Sequence, residues 1–109
     1  MSENYKVKLK MSRDLEVDLA DKIELEEPKK YKVILLNDHY STMDFVIEVL
    51  RKIFRKSMQE ATEIMLNVHN NGRDVCGIYT QEIALTKCQQ VRNMARQKGF
   101  PLKAIMEAE

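Results

Sequence analysis

Asn37, Asp38 and His39 stand side by side where the apolar run Tyr31 to Leu36 gives way to a polar turn. An amide, a carboxylate and an imidazole in succession offer several acceptors to an ammonium or a polar ligand. Met43 and Val46 follow at helical spacing, and Met65, Val68 and His69 recur farther on at i, i+3 and i+4, which on a helix is one face. If the two helical segments pack side by side, polar groups converge on a wall of adaptable thioethers and Val. Such a site suits a ligand with one charged end and one apolar end.

Other chemistries built from the same residues are weaker. A hydrolase could pair Asp38 with His39 or His69 and use Ser41 or Cys76 as nucleophile, but no Gly-rich oxyanion turn adjoins either. A zinc site from Asp38, His39 and His69 lacks both the H-x-x-x-H and the C-x-x-C spacing. Cys76 and Cys88 read as small core residues, because free Cys is among the most buried residue types.

The elements that must position these groups carry their own start and stop signals. Tyr31 to Leu36 has the content and length of a strand. The first helix starts near Thr42, with Ser41 and Asp44 at capping-box spacing. Its apolar positions run to Phe54, so it is expected to be central and largely buried. Ser57 and Glu60 form a second capping box before a helix with Ala61, Ile64, Met65 and Val68 as its buried stripe, stopped at Asn70-Asn71-Gly72. Val75 to Tyr79 is a second strand. Thr80 N-caps a third helix whose buried line is Ala84, Cys88, Val91 and Ala95, ended by Gly99 and Pro101. Leu102 to Met106 fits a last strand, or nearly as well a helix start. Met58, Met94 and Met106 are expected as core filler. The order strand, helix, helix, strand, helix, strand gives an α+β two-layer sandwich, three short strands packed under three helices.

The whole chain sets the bounds. At 109 residues it holds one core domain. Charges nearly cancel, 18 basic against 17 acidic, and no basic block tracks a phosphate backbone, so nucleic acid is not an expected partner. No apolar stretch is long enough for a membrane span and no signal-peptide core appears, which leaves a cytoplasmic monomer as the simplest expectation. Residues 1–30 are strongly charged and read as a mobile N-terminal extension to a core of residues 31–109. Within that extension Tyr5, Val7, Leu9 and Met11 alternate with Lys, a pattern compatible with a conditional strand.

Taken together, Tyr31 to Asp38, Met43-Asp44-Phe45-Val46, Met65 to His69, Val75 to Thr80 and Thr86-Lys87 resemble the ClpS family, whose fold is akin to the ribosomal stalk C-terminal domain. The resemblance covers residues 31–109. It implies an adaptor without cofactor or catalytic residues, which recognises substrates by a bulky hydrophobic N-terminal residue (Phe, Tyr, Trp or Leu) and delivers them to the ClpA unfoldase of the ClpAP protease. Position by position, it implies that Asn37, Asp38, His39 and His69 surround the substrate's α-amino group. Met43, Val46, Met65, Val68 and Leu102 would line the side-chain pocket, Leu102 being added by the family alone. Glu82 and Lys87 would dock on the ClpA N-terminal domain, although by themselves they read as a solvated helix face. Two positions depart from the family's pattern: His39 replaces the usual second acid, and Ser41-Thr42 replaces Thr-Pro. A protonated imidazole repels an ammonium, so the two histidines predict weaker amine binding on acidification. The alternative is a generic protein-interaction module of the same fold, without N-terminal residue recognition.

Overall fold

In the computed structural model, which describes residues 28–109, the chain forms β1 (Lys30–Leu36), α1 (Met43–Lys52), α2 (Met58–Asn71), β2 (Arg73–Thr80), α3 (Gln81–Lys98) and β3 (Lys103–Ala108). The order is the expected one, and the last segment is a strand. The extension expected over residues 1–30, including its alternating stretch, lies outside the described residues apart from its last three. Of these, Lys30 already belongs to β1.

The sheet is antiparallel throughout, ordered β2-β1-β3. Its central strand buries both faces. Val33 and Leu35 enter the main core beneath the helices, whereas Ile34 points the other way and is still only 2% exposed. Register explains this: Ile34 sits opposite Val75 on one side and Ile105 on the other. Arg73 and Glu107 stand at opposite corners of the same outer face, and their 2.9 Å ion pair runs diagonally across Ile34. A bulge in β2 makes Cys76 the extra residue between Val75 and Gly77, turned into the core. The Tyr79 ring lies over Gly77 and occupies the space a Cβ would need.

α3 lies across all three strands, α2 packs on β2, and α1 packs beside α2. The buried line of α3 is Ala84, Cys88, Val91 and Ala95, as the spacing requires, and Gly99 ends it with φ of 77°. Thr80 takes the extended N-cap geometry of α3 but its side chain makes no capping bond. Just beyond, the Phe100 ring meets Phe45 of α1 with centroids 4.8 Å apart, joining the C-terminal segment to the helical layer.

α1 differs from expectation in two ways. Its cap is Thr42, whose Oγ1 accepts from the Phe45 N–H at 3.1 Å; the Ser41–Asp44 box does not form. It is also one-sided rather than central: Phe45, Val46, Val49 and Leu50 are buried while Arg51 and Lys52 face water. The helix closes at Ile53, so Phe54 is buried from the following loop. That loop turns through Arg55 at φ of 53°, and Lys87 reaches across from α3 to donate to the Ile53 carbonyl at 2.7 Å.

α2 has the expected capping box, with the Ser57 hydroxyl accepting from the Glu60 N–H and the Glu60 carboxylate accepting from the Ser57 N–H. Ala61, Met65 and Val68 are buried, and Ile64 is only partly so. Met58 is 53% exposed rather than core filler. It lines an open surface depression with Arg55 and Lys56 of the α1–α2 loop. Met94 and Met106 do pack against the core.

Candidate functional site

Gly72 ends α2 in the left-handed region, φ of 92°, which glycine adopts without steric cost. Its N–H returns to the Val68 carbonyl, and its own carbonyl accepts from the Asn37 N–H at 2.9 Å. One hydrogen bond thereby joins the end of β1 to the end of α2. His69, in the last turn of α2, is thus brought beside the Asn37–His39 turn, and the two sets of residues separated in sequence share one groove.

The turn is organised by Asp38. Its Oδ1 accepts from the Tyr40 N–H at 2.8 Å and from the Ser41 N–H at 2.6 Å, a side-chain turn that satisfies two backbone donors. Burial pulls the Asp38 pKa up. The Ser41 and Tyr40 N–H groups, the adjacent Ser41 hydroxyl and the neighbouring His39 outweigh it and hold the carboxyl below its ordinary value. Asp38 is therefore ionised at neutral pH. Its other oxygen, Oδ2, and the adjacent Ser41 hydroxyl are both buried, and apart from each other neither has a hydrogen-bond partner. A carboxylate oxygen accepts more than one bond, so Oδ2 keeps capacity for a donor supplied by a ligand even with the Ser41 hydroxyl beside it.

Both of those residues line a groove of about 340 Å³, within the lower range of small-ligand sites. Val46, Met65 and Val68 are buried and supply its apolar wall. Met43 is 48% exposed and forms part of the rim. Asn37, His39 and His69 are exposed at the polar end. Ser41 and Thr42 also line the groove. The sequence marked them as the helix start, with Ser41 also a weak nucleophile candidate, but not as groove lining, although the Asp-x-x-Ser spacing of a side-chain turn was present in the chain.

Three expected residues lie elsewhere. Leu102 is buried, at 3% exposure, and lines a separate cleft between α3 and β3. Glu82 is exposed at the start of α3, beside Pro28 and Tyr31. Lys87 is half-buried rather than solvated, held by the Ile53 carbonyl and with its ammonium 5.8 Å from the centre of the Tyr79 ring. Burial pushes the Cys76 thiol up to about 12, away from the thiolate a nucleophile needs, and the Ser41 hydroxyl has no hydrogen bond to His39 or His69. Among the described residues no group of three or more His, Cys, Asp or Glu gathers as a metal site, and no helix is long and apolar enough to cross a membrane.

Comparison with known proteins adds a second line. Residues 26–105 match the family model of the ATP-dependent Clp protease adaptor protein ClpS. The chain is 55% identical over 94 residues to the ATP-dependent Clp protease adapter protein ClpS of Wolinella succinogenes, spanning 86% of this chain and 92% of that one. It is 51% identical over 104 residues to the protein of the same name from Desulfatibacillum aliphaticivorans, spanning 91% and 100%. A solved structure, Agrobacterium tumefaciens ClpS2 bound to L-phenylalaninamide, superposes with a TM-score of 0.74 at 37% identity, covering 76% of this chain and 100% of the other.

Proposed function

This chain belongs to the ClpS family of ATP-dependent Clp protease adaptors, and from that membership we propose that it captures the free N-terminal residue of substrate proteins and delivers them to the ClpA unfoldase. The observation that carries the reading is the ionised Asp38 carboxylate, with only Oδ1 taken by backbone donors, in one groove with an apolar wall of Val46, Met65 and Val68. An α-ammonium donates to Asp38 and is further oriented by Asn37, His39 and His69. The side chain of Phe, Tyr, Trp or Leu then enters between Met43 and α2. The phenylalaninamide bound to the Agrobacterium relative has this chemistry: a free amine, an aromatic side chain and no free carboxylate.

Selectivity for chain ends follows from the two halves acting together. Burying a Phe or Leu side chain stabilises by about 1.5–3 kcal/mol, which alone gives weak binding. A charge-assisted hydrogen bond from the ammonium adds about 1.5–3 kcal/mol. An internal Phe lacks the ammonium and leaves Asp38 unsatisfied. Glu82 and Lys87 are assigned to docking on the ClpA N-terminal domain; Leu102, which lines the separate α3–β3 cleft, is not assigned to the pocket. The proposal assigns no catalytic residue and no cofactor.

The test is fluorescence anisotropy with a labelled peptide beginning in Phe and its N-acetylated twin. Tight binding of the free amine alone supports capture of chain ends. Equal binding of both peptides would falsify it and leave a generic interaction module of the same fold.

A further inference from the structure

Three surface depressions share lining residues and form one track. The groove that holds Asn37, Asp38 and His39 continues into a depression of about 330 Å³ that adds Tyr40, Pro101 and Lys103. Pro101 and Lys103 also line the cleft of about 430 Å³ between α3 and β3, whose helical wall carries Arg92 and Arg96. Along this path the first step is apolar, at Tyr40 and Pro101, and the rest is basic. Lys103, Arg92 and Arg96 are all exposed, and none forms an ion pair among the described residues.

The backbone offers a second kind of contact. Among the described residues β3 is an edge strand, and the Glu109 N–H donates to the Lys30 carbonyl. In an antiparallel pair this phase turns the backbone groups of Lys103, Ile105 and Glu107 toward β1 and those of Ala104, Met106 and Ala108 outward. An extended chain lying in the cleft can therefore hydrogen-bond to that edge while its side chains approach Arg92 and Arg96.

Resting on the proposed capture of an N-terminal residue, we propose that this track reads the residues that follow it: the substrate leaves the amine site past Tyr40 and Pro101, and Lys103, Arg96 and Arg92 select acidic side chains. An extended chain advances about 3.3 Å per residue, so positions three to six lie about 7–17 Å from the bound amine. The ligand that fits has a positive head for Asp38 and an acidic tail for the basic cleft. Exposed ion pairs are individually weak, so the three together are expected to give about a three- to tenfold preference at low salt. Screening shrinks that preference at high ionic strength.

The experiment uses the full chain and three Phe-led peptides carrying Glu, Ser or Lys at positions three to six, each with its N-acetylated twin, measured by anisotropy. The Glu peptide is expected to bind about three- to tenfold tighter than the Ser peptide. The Arg92→Glu, Arg96→Glu double variant is expected to reverse the order in favour of Lys, with L-phenylalaninamide, which ends before the track, competing equally well in both proteins. If the free-amine peptides bind but Glu and Ser are equal, or if the preference survives the double reversal, the track is refuted and N-terminal capture stands. If no peptide is distinguished from its acetylated twin, capture itself fails and the track falls with it.

Discussion

Replacing Asp38 with Asn isolates the contribution of a single oxygen. Asn keeps a carbonyl that accepts from the Tyr40 and Ser41 N–H groups, now bonded at 2.8 and 2.6 Å, so the turn retains its frame. The amide NH2 cannot take that inner place without setting donors against donors, so it occupies the position of Oδ2, buried beside the Ser41 hydroxyl in the wild type. An ammonium then meets a donor where it needs an acceptor. Loss of one charge-assisted bond, about 1.5–3 kcal/mol, weakens binding by roughly 10- to 150-fold at 1.4 kcal/mol per decade. Anisotropy with the Phe peptide measures this, and a thermal melt taken alongside separates lost chemistry from lost fold. The pH dependence has a fixed sign. Because the folded state depresses the Asp38 pKa, its stabilising contribution is present above the unfolded value of about 3.9 and is lost as pH falls through the folded one. The stability gap between wild type and Asp38→Asn is thus expected to hold from pH 7 to about 5 and to close in acid. Free-amine affinity within twofold of wild type, in a variant that melts normally, would refute the reasoning.

Further outcomes follow. The resemblance to the ClpS family implies that Met43 gates against Val and Ile, so Met43→Ala is expected to admit peptides beginning in either, while leaving the melting temperature unchanged because Met43 is half exposed; competition binding reads this directly. Lys87→Met keeps the apolar stem but loses the bond to the Ile53 carbonyl, and urea unfolding should show a loss of about 1 kcal/mol that Glu82→Gln does not share. Cys76, 1% exposed and with its thiol pushed up to about 12, should resist iodoacetamide at pH 8 until denaturant opens the fold; Cys88, at 8%, should react first.

Local patterns in the chain were legible where the signal stays within a few residues. The Ser57–Glu60 box, the Gly72 and Gly99 stops and the α3 buried line depend only on spacing, and the structure follows them. The grouping of Asn37, Asp38 and His39 with Met65, Val68 and His69 needed one further assumption, that two helices pack side by side, and they do. The choice between Ser41 and Thr42 as cap was not legible. It is decided by Asp38, which takes the Ser41 N–H for its own turn and shifts the helix start by one residue. Nothing local announces that Lys87 will hold the Ile53 carbonyl, or that an ion pair between two edge strands will cover Ile34. Leu102 entered through the family resemblance alone, and its burial beside the α3–β3 cleft sets it apart from the residues that line the groove.

Among the described residues, the hydrogen bond from Asn37 to the Gly72 carbonyl is the one clasp between the two walls of the groove to be made by main-chain atoms. A ligand that touches Asp38 on one wall and His69 on the other becomes a second clasp in parallel with it. The Asn37 amide is then a built-in gauge of occupancy: it exchanges with solvent only when the walls part, and a bound N-terminal residue holds them together. Hydrogen exchange at that one backbone position would register capture without any label on the substrate, and would do so for ligands too small to change the anisotropy of a dye.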